Sequence, residues 1–401
     1  MLRSGKLCVA SALVLLASTI AASTAEMRGV SATEIRIGQT MPDSGPVSAF
    51  GALGKGEVGY FRMLNENGGI NGRKVNLISL DDGYAPPKTV EQTRRLVESE
   101  EVALIFSSIG TAHNTAIAKY LQGRNIPQLF LASGASKFAD VAQYPQATMG
   151  VQAPFRYEAR LYARYALAKN PNAKFAVISQ NDDYGRDYLL GLKDVLGDNY
   201  DSAVTGATYE VTDPTIDSQI VRLKASGADV LVIAATPKFA AQAIRKAHEI
   251  GWRPLTFLSN VAVWISTVMQ PAGLEASTGI LSTAYVKDPD DPAWTDDPGV
   301  KGWREFMTKY LPEADLHDTN YVNAYNSAIA LVAVLKACGD DLSTENILKQ
   351  AYSIHDLELP MLLPGIRINT SLTDHIPVDQ MQFMRFNGKT WERFGELETG
   401  N

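Results

Sequence analysis

A chain of 401 residues, 45% of them hydrophobic and 20% charged, is longer than one hydrophobic core usually organises, so two domains are expected. Its formal net charge of −7 excludes the basic surface that nucleic acid demands. It also argues against electrostatic docking on anionic lipid.

The chain opens with Arg3 and Lys6, followed by an uncharged run from Leu7 to Ala25 and a small-x-small site, Ser23-Thr24-Ala25, before Glu26. That layout predicts a cleaved secretory signal over residues 1–25 and a periplasmic protein. The rival reading, an uncleaved membrane anchor, wants roughly 20 strongly apolar residues, and this run is interrupted by Ser11, Ser18, Thr19 and Ser23. Cys8 lies inside the segment, which leaves Cys338 as the single thiol beyond it. No disulfide can form within the exported chain, and an inert buried thiol is expected.

Short β-branched runs then alternate with amphipathic ones. Strands are predicted at Glu34–Gly38, Lys74–Leu80, Val102–Phe106 and Gln128–Leu131, with helices at Gly51–Asn67, Pro87–Glu98 and Ala112–Gln122 between them. A second series follows: helix Arg156–Ala168, strand Lys174–Ser179, helix Tyr184–Leu196, strand Thr205–Tyr209, helix Thr215–Ala225, strand Asp229–Ala234, helix Phe239–Ile250 and strand Leu255–Leu258. Repeated βα units imply parallel sheets covered by helices on both faces, the α/β class. Strands such as Ala103-Leu-Ile-Phe106 lack polar alternation, as two-sided burial requires. Two series of one kind predict two similar doubly wound lobes.

The stretch Lys287–Pro298 carries five Asp and three Pro and reads as a solvated loop. Its prolines break the alternating ligand spacing of a calcium loop. Helices at Gly302–Tyr310, Tyr321–Cys338 and Ser343–Tyr352 come next, then strands at Gly365–Ile368, Gln382–Phe386 and Trp391–Phe394, the last pair joined at Asn387-Gly388.

Gly54-Lys-Gly56-Glu-Val-Gly59 fits the dinucleotide pattern G-x-G-x-x-G in letters only. That fingerprint needs its first glycine directly after a strand. Here a long loop holding Pro42 and Pro46 intervenes, so the glycines belong inside a helix, where they permit close packing. The five histidines have no metal-ligand spacing, and no nucleophile elbow, zinc-protease or phosphate-loop motif occurs. His113 opens a helix beside the expected cleft, where a ligand contact, a capping role and a solvated role are all open. No catalytic residue, metal or cofactor is expected. A serine triad assembled in space stays open as an alternative, a secreted α/β hydrolase.

Several segments in this order resemble the extracytoplasmic solute-binding proteins of the leucine/isoleucine/valine-binding kind, which serve ABC-type importers. They are Ile35-Arg-Ile-Gly38 with Ser44-Gly-Pro46 and Phe50-Gly51; Asn65 to Arg73 with Val75 to Asp82; Asn125-Ile-Pro-Gln-Leu129 with Ser133-Gly-Ala-Ser136; and Asp182-Asp-Tyr-Gly185. The resemblance runs from about Glu34 to the C-terminus. It implies a type I periplasmic-binding fold, two α/β lobes joined by three crossovers near Gly150–Ala153, Ser282–Val286 and Leu359–Gly365. Lobe 1 then comprises residues 26–152 and 284–362, and lobe 2 residues 153–283 and 363–401.

The same resemblance implies a ligand held between the lobes. It assigns Phe50 to the ligand's apolar part, Ser108, Thr111, Ser133 and Ala135 to a carboxylate, and Tyr184 to cover and hydrogen bonding. Thr236 stands where amino-acid binders carry a second tyrosine. The segment Leu258-Ser-Asn260-Val-Ala262 stands where they carry a glutamate for the ligand's ammonium. A buried ammonium without an acid is costly. The expected ligand is therefore a small organic acid, aromatic acids included, without an α-amino group, and the expected partner an inner-membrane ABC permease. Alternatives are a branched-chain amino acid binder, with Asp82 or Asp183 supplying the charge, and a sensory subunit of the same fold.

Overall fold

The computed structural model describes residues 27–400. The expected signal segment, residues 1–25, lies outside them. No helix among the described residues is long and apolar enough to cross a membrane.

The chain runs in βα steps: β1 Glu34–Met41, α1 Gly51–Glu66, β2 Lys74–Asp81, α2 Pro86–Glu98, β3 Ile105–Phe106, α3 Thr111–Gly123, β4 Gln128–Leu131 and β5 Ala147–Met149. The second series is α4 Phe155–Lys169, β6 Phe175–Gln180, α5 Asp183–Leu196, α6 Tyr200–Ala203, β7 Val204–Tyr209, α7 Asp217–Ala225, β8 Val230–Ala234, α8 Pro237–Glu249 and β9 Leu255–Leu258. Short helices α9 Gln270–Ala272 and α10 Leu274–Ser277 precede β10 Leu281–Ala284. The remainder is α11 Pro298–Tyr310, α12 Asn320–Ala337, α13 Thr344–Ala351, β11 Gln380–Phe386 and β12 Trp391–Thr399.

Two sheets result. The first has the order β2-β1-β3-β4-β5, and the second β12-β11-β10-β9-β8-β6-β7. The first is parallel throughout, whereas β11 and β12 join the second antiparallel. The order β7-β6-β8-β9-β10 repeats β2-β1-β3-β4-β5 strand for strand, so both halves are doubly wound in one sense. The inner strands are sealed on both faces: Val230–Ala234 is buried at every residue.

Helix α1 packs closely through its glycines, on α12 at Gly56 and on β1 at Gly54. A Cβ on Gly56 would stand 2.5 Å from the Ala324 Cβ, and one on Gly54 2.7 Å from the Met41 side chain. Those glycines serve helix packing, not a phosphate turn. The Asn387-Gly388 turn closes the β11–β12 hairpin, with Gly388 at φ +95° and the Asn387 carboxamide oxygen accepting from the Lys389 and Thr390 N–H groups.

Three sequence expectations need correction. Residues Gly365–Ile368 form no strand; Ile368 makes one antiparallel bridge to Leu357. That stretch stays beside the first sheet, since Thr370 hydrogen-bonds Ile354 and Ala351 and the His375 carbonyl accepts from Met149 of β5. The chain therefore reaches the second sheet only at β11, later than residue 363. Strands β5 Ala147–Met149 and β10 Leu281–Ala284 were not expected, because Thr148, Ser282 and Thr283 leave them without the apolar run that marked the other short strands. Where the chain leaves β10, the Lys287 N–H bonds the Met361 carbonyl and the Leu363 N–H bonds the Tyr285 carbonyl, so residues 361–363 run alongside that exit.

Filling the α1–α12 seam tests this packing. Gly56→Leu is expected to destabilise the protein by about 1–3 kcal/mol, the usual cost of overpacking, read as a lowered urea midpoint with the slope unchanged.

Candidate ligand-binding cavity

In an open parallel sheet, the crevice for a ligand lies outside the carboxyl ends of the strands where strand order reverses. Here those reversals fall between β1 and β3 and between β6 and β8. The loops leaving these strands converge on one cavity, about 810 Å³ with its mouth included. That is room for a small molecule. Phe50 arrives from the β1–α1 loop, Thr111 at the start of α3, Ser133 after β4, Tyr184 at the start of α5, Thr236 after β8 and Asn260 after β9. All six were named from sequence; the aromatic residues Tyr84 and Phe155 also line the cavity.

The lining is aromatic and polar, with no Asp, Glu, Lys, Arg or His among its residues. Phe50 meets Trp264 edge to face at 5.2 Å between centroids, and Phe155 meets Tyr184 the same way at 4.7 Å. These pairs rigidify an apolar slot. At one end, Gly110 at φ +104° turns the chain into α3, whose first N–H groups have no acceptor within the helix. The Thr111 and Ser133 hydroxyls lie 2.7 Å apart there, and Ser133 Oγ accepts from the Ala135 N–H. A helix start with two hydroxyls suits an anion.

The opposite wall offers unpartnered polar atoms. The Tyr184 hydroxyl and both amide atoms of Asn260 are buried without a hydrogen-bond partner among the described residues. Such groups are costly when left unmade and favour a ligand that satisfies them. Thr236 is committed: its N–H donates to the Tyr209 hydroxyl, and its own hydroxyl lies 3.2 Å from it. The tyrosine absent at residue 236 is thus replaced beneath the wall by one from β7.

An acid behind this wall is shut off in the same way. Glu158 of α4 is fully buried, and its carboxyl accepts from Thr283 (2.6 Å), Tyr162 (2.5 Å), Tyr188 and the Asn260 N–H (3.1 Å). Tyr188 also reaches Ser259 Oγ at 2.6 Å. Burial drives the Glu158 pKa up to about 7, against the pull of those donors. The group fixes the loop that presents Asn260 and has no face toward the cavity.

Ser108 and Ala135 do not line the cavity. The Ser108 hydroxyl is buried under it and accepts from the Thr40 N–H at 2.9 Å. Ala135 lies behind Ser133, its N–H already used. His113 is neither solvated nor in the lining: it lies under Tyr84, ring centroids 4.1 Å apart, and burial pushes its pKa down. The sequence reading missed Trp264, Tyr285, Asn320, Asn323 and Ser327. The last three recur at i, i+3 and i+7 in the first half of α12, a polar stripe along the face that meets the cavity. The two halves touch beside the cavity, where Ser136 donates from N–H and hydroxyl to Asp187 (2.6 and 2.8 Å) and Lys137 pairs with Asp183 at 2.6 Å. Asp183 and Asp82 therefore face other partners, Asp82 being bound to Thr89 Oγ1 at 2.7 Å and the Tyr84 N–H.

Comparison with known proteins bears on the family and the fold. The family described as periplasmic binding protein matches residues 34–390. Leu/Ile/Val-binding protein homolog 7 of Brucella abortus (strain 2308) is 25% identical over 356 residues, 86% of each chain. A branched chain amino acid ABC transporter protein from Thermus thermophilus, with bound valine, superposes with a TM-score of 0.80 at 16% identity, covering 92% of this chain and 97% of that one. A fatty acid ABC transporter substrate-binding protein from Thermomonospora curvata gives 0.75 at 18% identity, covering 93% and 94%.

The buried acid implies a pH signature. The Glu158 pKa is raised from 4.5 to about 7, so between those values the folded state holds a proton that the unfolded chain has lost. Its contribution to stability is full below pH 4.5 and declines to about pH 7. His113 and His375, both depressed by burial, act in the opposite sense, so the readout is a difference. The melting temperature of Glu158→Gln is expected to gain on that of the parent as pH rises from 4.5 to 7, measured by thermal scans across that range. A constant difference contradicts this.

Proposed function

The chain belongs to the periplasmic binding protein family, and we propose that within it this protein is the substrate-binding subunit of an ABC-type importer, clamping a small organic acid that lacks an α-amino group. The family is one of solute-binding receptors, not enzymes, which removes the secreted-hydrolase alternative.

One observation carries the reading: no charged side chain lines the main cavity, while the start of α3 with Thr111 and Ser133 opens into it. A carboxylate is stabilised there by free N–H groups and hydroxyls. An ammonium on the adjacent carbon would be desolvated with no acid beside it, since all oxygen positions of Glu158 face its own donors. Phe50, Phe155 and Trp264 supply the slot for an aromatic or aliphatic body. Valine and a fatty acid, the ligands in the names of two structural neighbours, have a carboxylate in common and little else.

The mechanism is capture without chemistry. Closing the halves over the ligand removes water and strengthens each polar contact. The closed form presents surface from both halves at once to a permease, and opening releases the solute unchanged.

Calorimetry on the purified protein tests this. Benzoate-, cinnamate- and straight-chain carboxylates are expected to include binders, and leucine and valine to bind far more weakly. Tight leucine binding with every simple carboxylate silent overturns the reading. In the carboxylate-binding protein, Thr111→Val is expected to lower affinity about tenfold or more, the loss of one hydrogen bond to a charged group.

A further inference from the structure

A second chamber, about 580 Å³ with its mouth included, adjoins the main cavity. Asn260, Trp264, Tyr285 and Asn323 line both, so one wall serves the two spaces. The chemistry changes across that wall. Asp288, Asp290 and His317 line the side chamber, whereas the main cavity has no Asp, Glu, Lys, Arg or His on its lining.

One carboxyl there is left without an ion pair, while the Arg304 guanidinium beside it donates to the Pro289 carbonyl at 2.6 Å. Asp290 is committed to His317, Oδ2 to Nδ1 at 2.6 Å. Asp291 pairs with Arg393 at 3.2 Å, and Lys287 with Asp297 at 2.8 Å. Asp288 accepts the Asp290 N–H at 2.9 Å and makes no ion pair among the described residues. Burial raises its pKa, and the charges of Asp290 and Asp291 push the same way, with the Asp290 N–H and His317 opposing. A carboxyl in that setting gains most from an added cation.

The partition supplies the second observation. Asn260 is 9% exposed, yet neither its amide oxygen nor its amide nitrogen has a partner. An amide can donate to an anion on one side and accept from a cation on the other. Trp264 and Trp391 add aromatic faces to the side chamber, and such faces attract ammonium groups. No group of three or more potential metal ligands occurs among the described residues, which favours an organic cation over a metal ion.

We propose that the side chamber binds an ammonium group, and that the two chambers together take an acid carrying its positive charge at the end remote from the carboxylate. This rests on the carboxylate assignment above and deepens it: the absence of an acid near the α3 start excludes an α-ammonium, while Asp288 and Asn260 accept an ω-ammonium. Charge then alternates along the cleft, with the positive helix end facing the carboxylate and Asp288 facing the cation.

Calorimetry with hexanoate, 6-aminohexanoate and hexylammonium on the whole exported chain tests it. At least a tenfold preference for 6-aminohexanoate over hexanoate is expected, falling to about one in Asp288→Asn. If that variant does not fold, the comparison in the unaltered protein decides alone. Equal binding of the two acids, or a preference that survives in Asp288→Asn, overturns the proposal. Failure of the carboxylate reading looks different: hexanoate and aromatic carboxylates are then all silent. In that case hexylammonium decides, since Asp288-dependent binding supports the side chamber and no such binding ends it.

Discussion

Everything in this molecule depends on a topological reversal that occurs twice. In each sheet, the chain winds outward from the first strand, then returns to the other side of it. The helices that follow the two neighbouring strands must diverge, one to each face, and a crevice opens at their start. Free N–H groups and short polar loops collect there because that is where helices begin. When two such sheets face each other, the crevices become one enclosure, and a small solute can be stripped of water from both sides.

The enclosure is asymmetric in its chemistry. The first half contributes a helix start with two hydroxyls, Thr111 and Ser133, 2.7 Å apart. The second contributes polar atoms held in place from behind. Glu158 anchors the Asn260 backbone, Tyr188 and Thr283 at once, joining α4, α5, the end of β9 and β10. A fully buried carboxyl is a costly support, yet its four donors satisfy it. The result is a wall that presents an amide and a phenol to the cavity while keeping the Glu158 carboxyl behind it. On the function proposed above, specificity follows from what the wall withholds as much as from what it offers.

Much of this was legible in one dimension. The βα alternation marked the parallel sheets because doubly covered strands lose polar alternation. Phe50, Thr111, Ser133, Tyr184, Thr236 and Asn260 could be named because the family resemblance assigns them, and each follows the carboxyl end of a strand, where an open α/β sheet places a ligand. Ser108 failed for a reason invisible in the chain: its hydroxyl turns inward to the Thr40 N–H, and a donor's direction is a matter of neighbours. Trp264, Tyr285 and Asn323 escaped because they come from irregular loops and from a helix that reads as ordinary core.

The amino-acid sequence by itself determined the α/β class, the two matching series, and the strand ends past which the cavity opens. These are local properties, set by periodicity and by which residues can begin or end an element. Only the tertiary structure decided that Glu158 stands behind the wall, that the third crossing waits until β11, and that Asp288 opens into a chamber beside the main cavity. Each of these depends on residues far apart in the chain meeting in space, and no pattern of neighbours along the sequence encodes the distance between them.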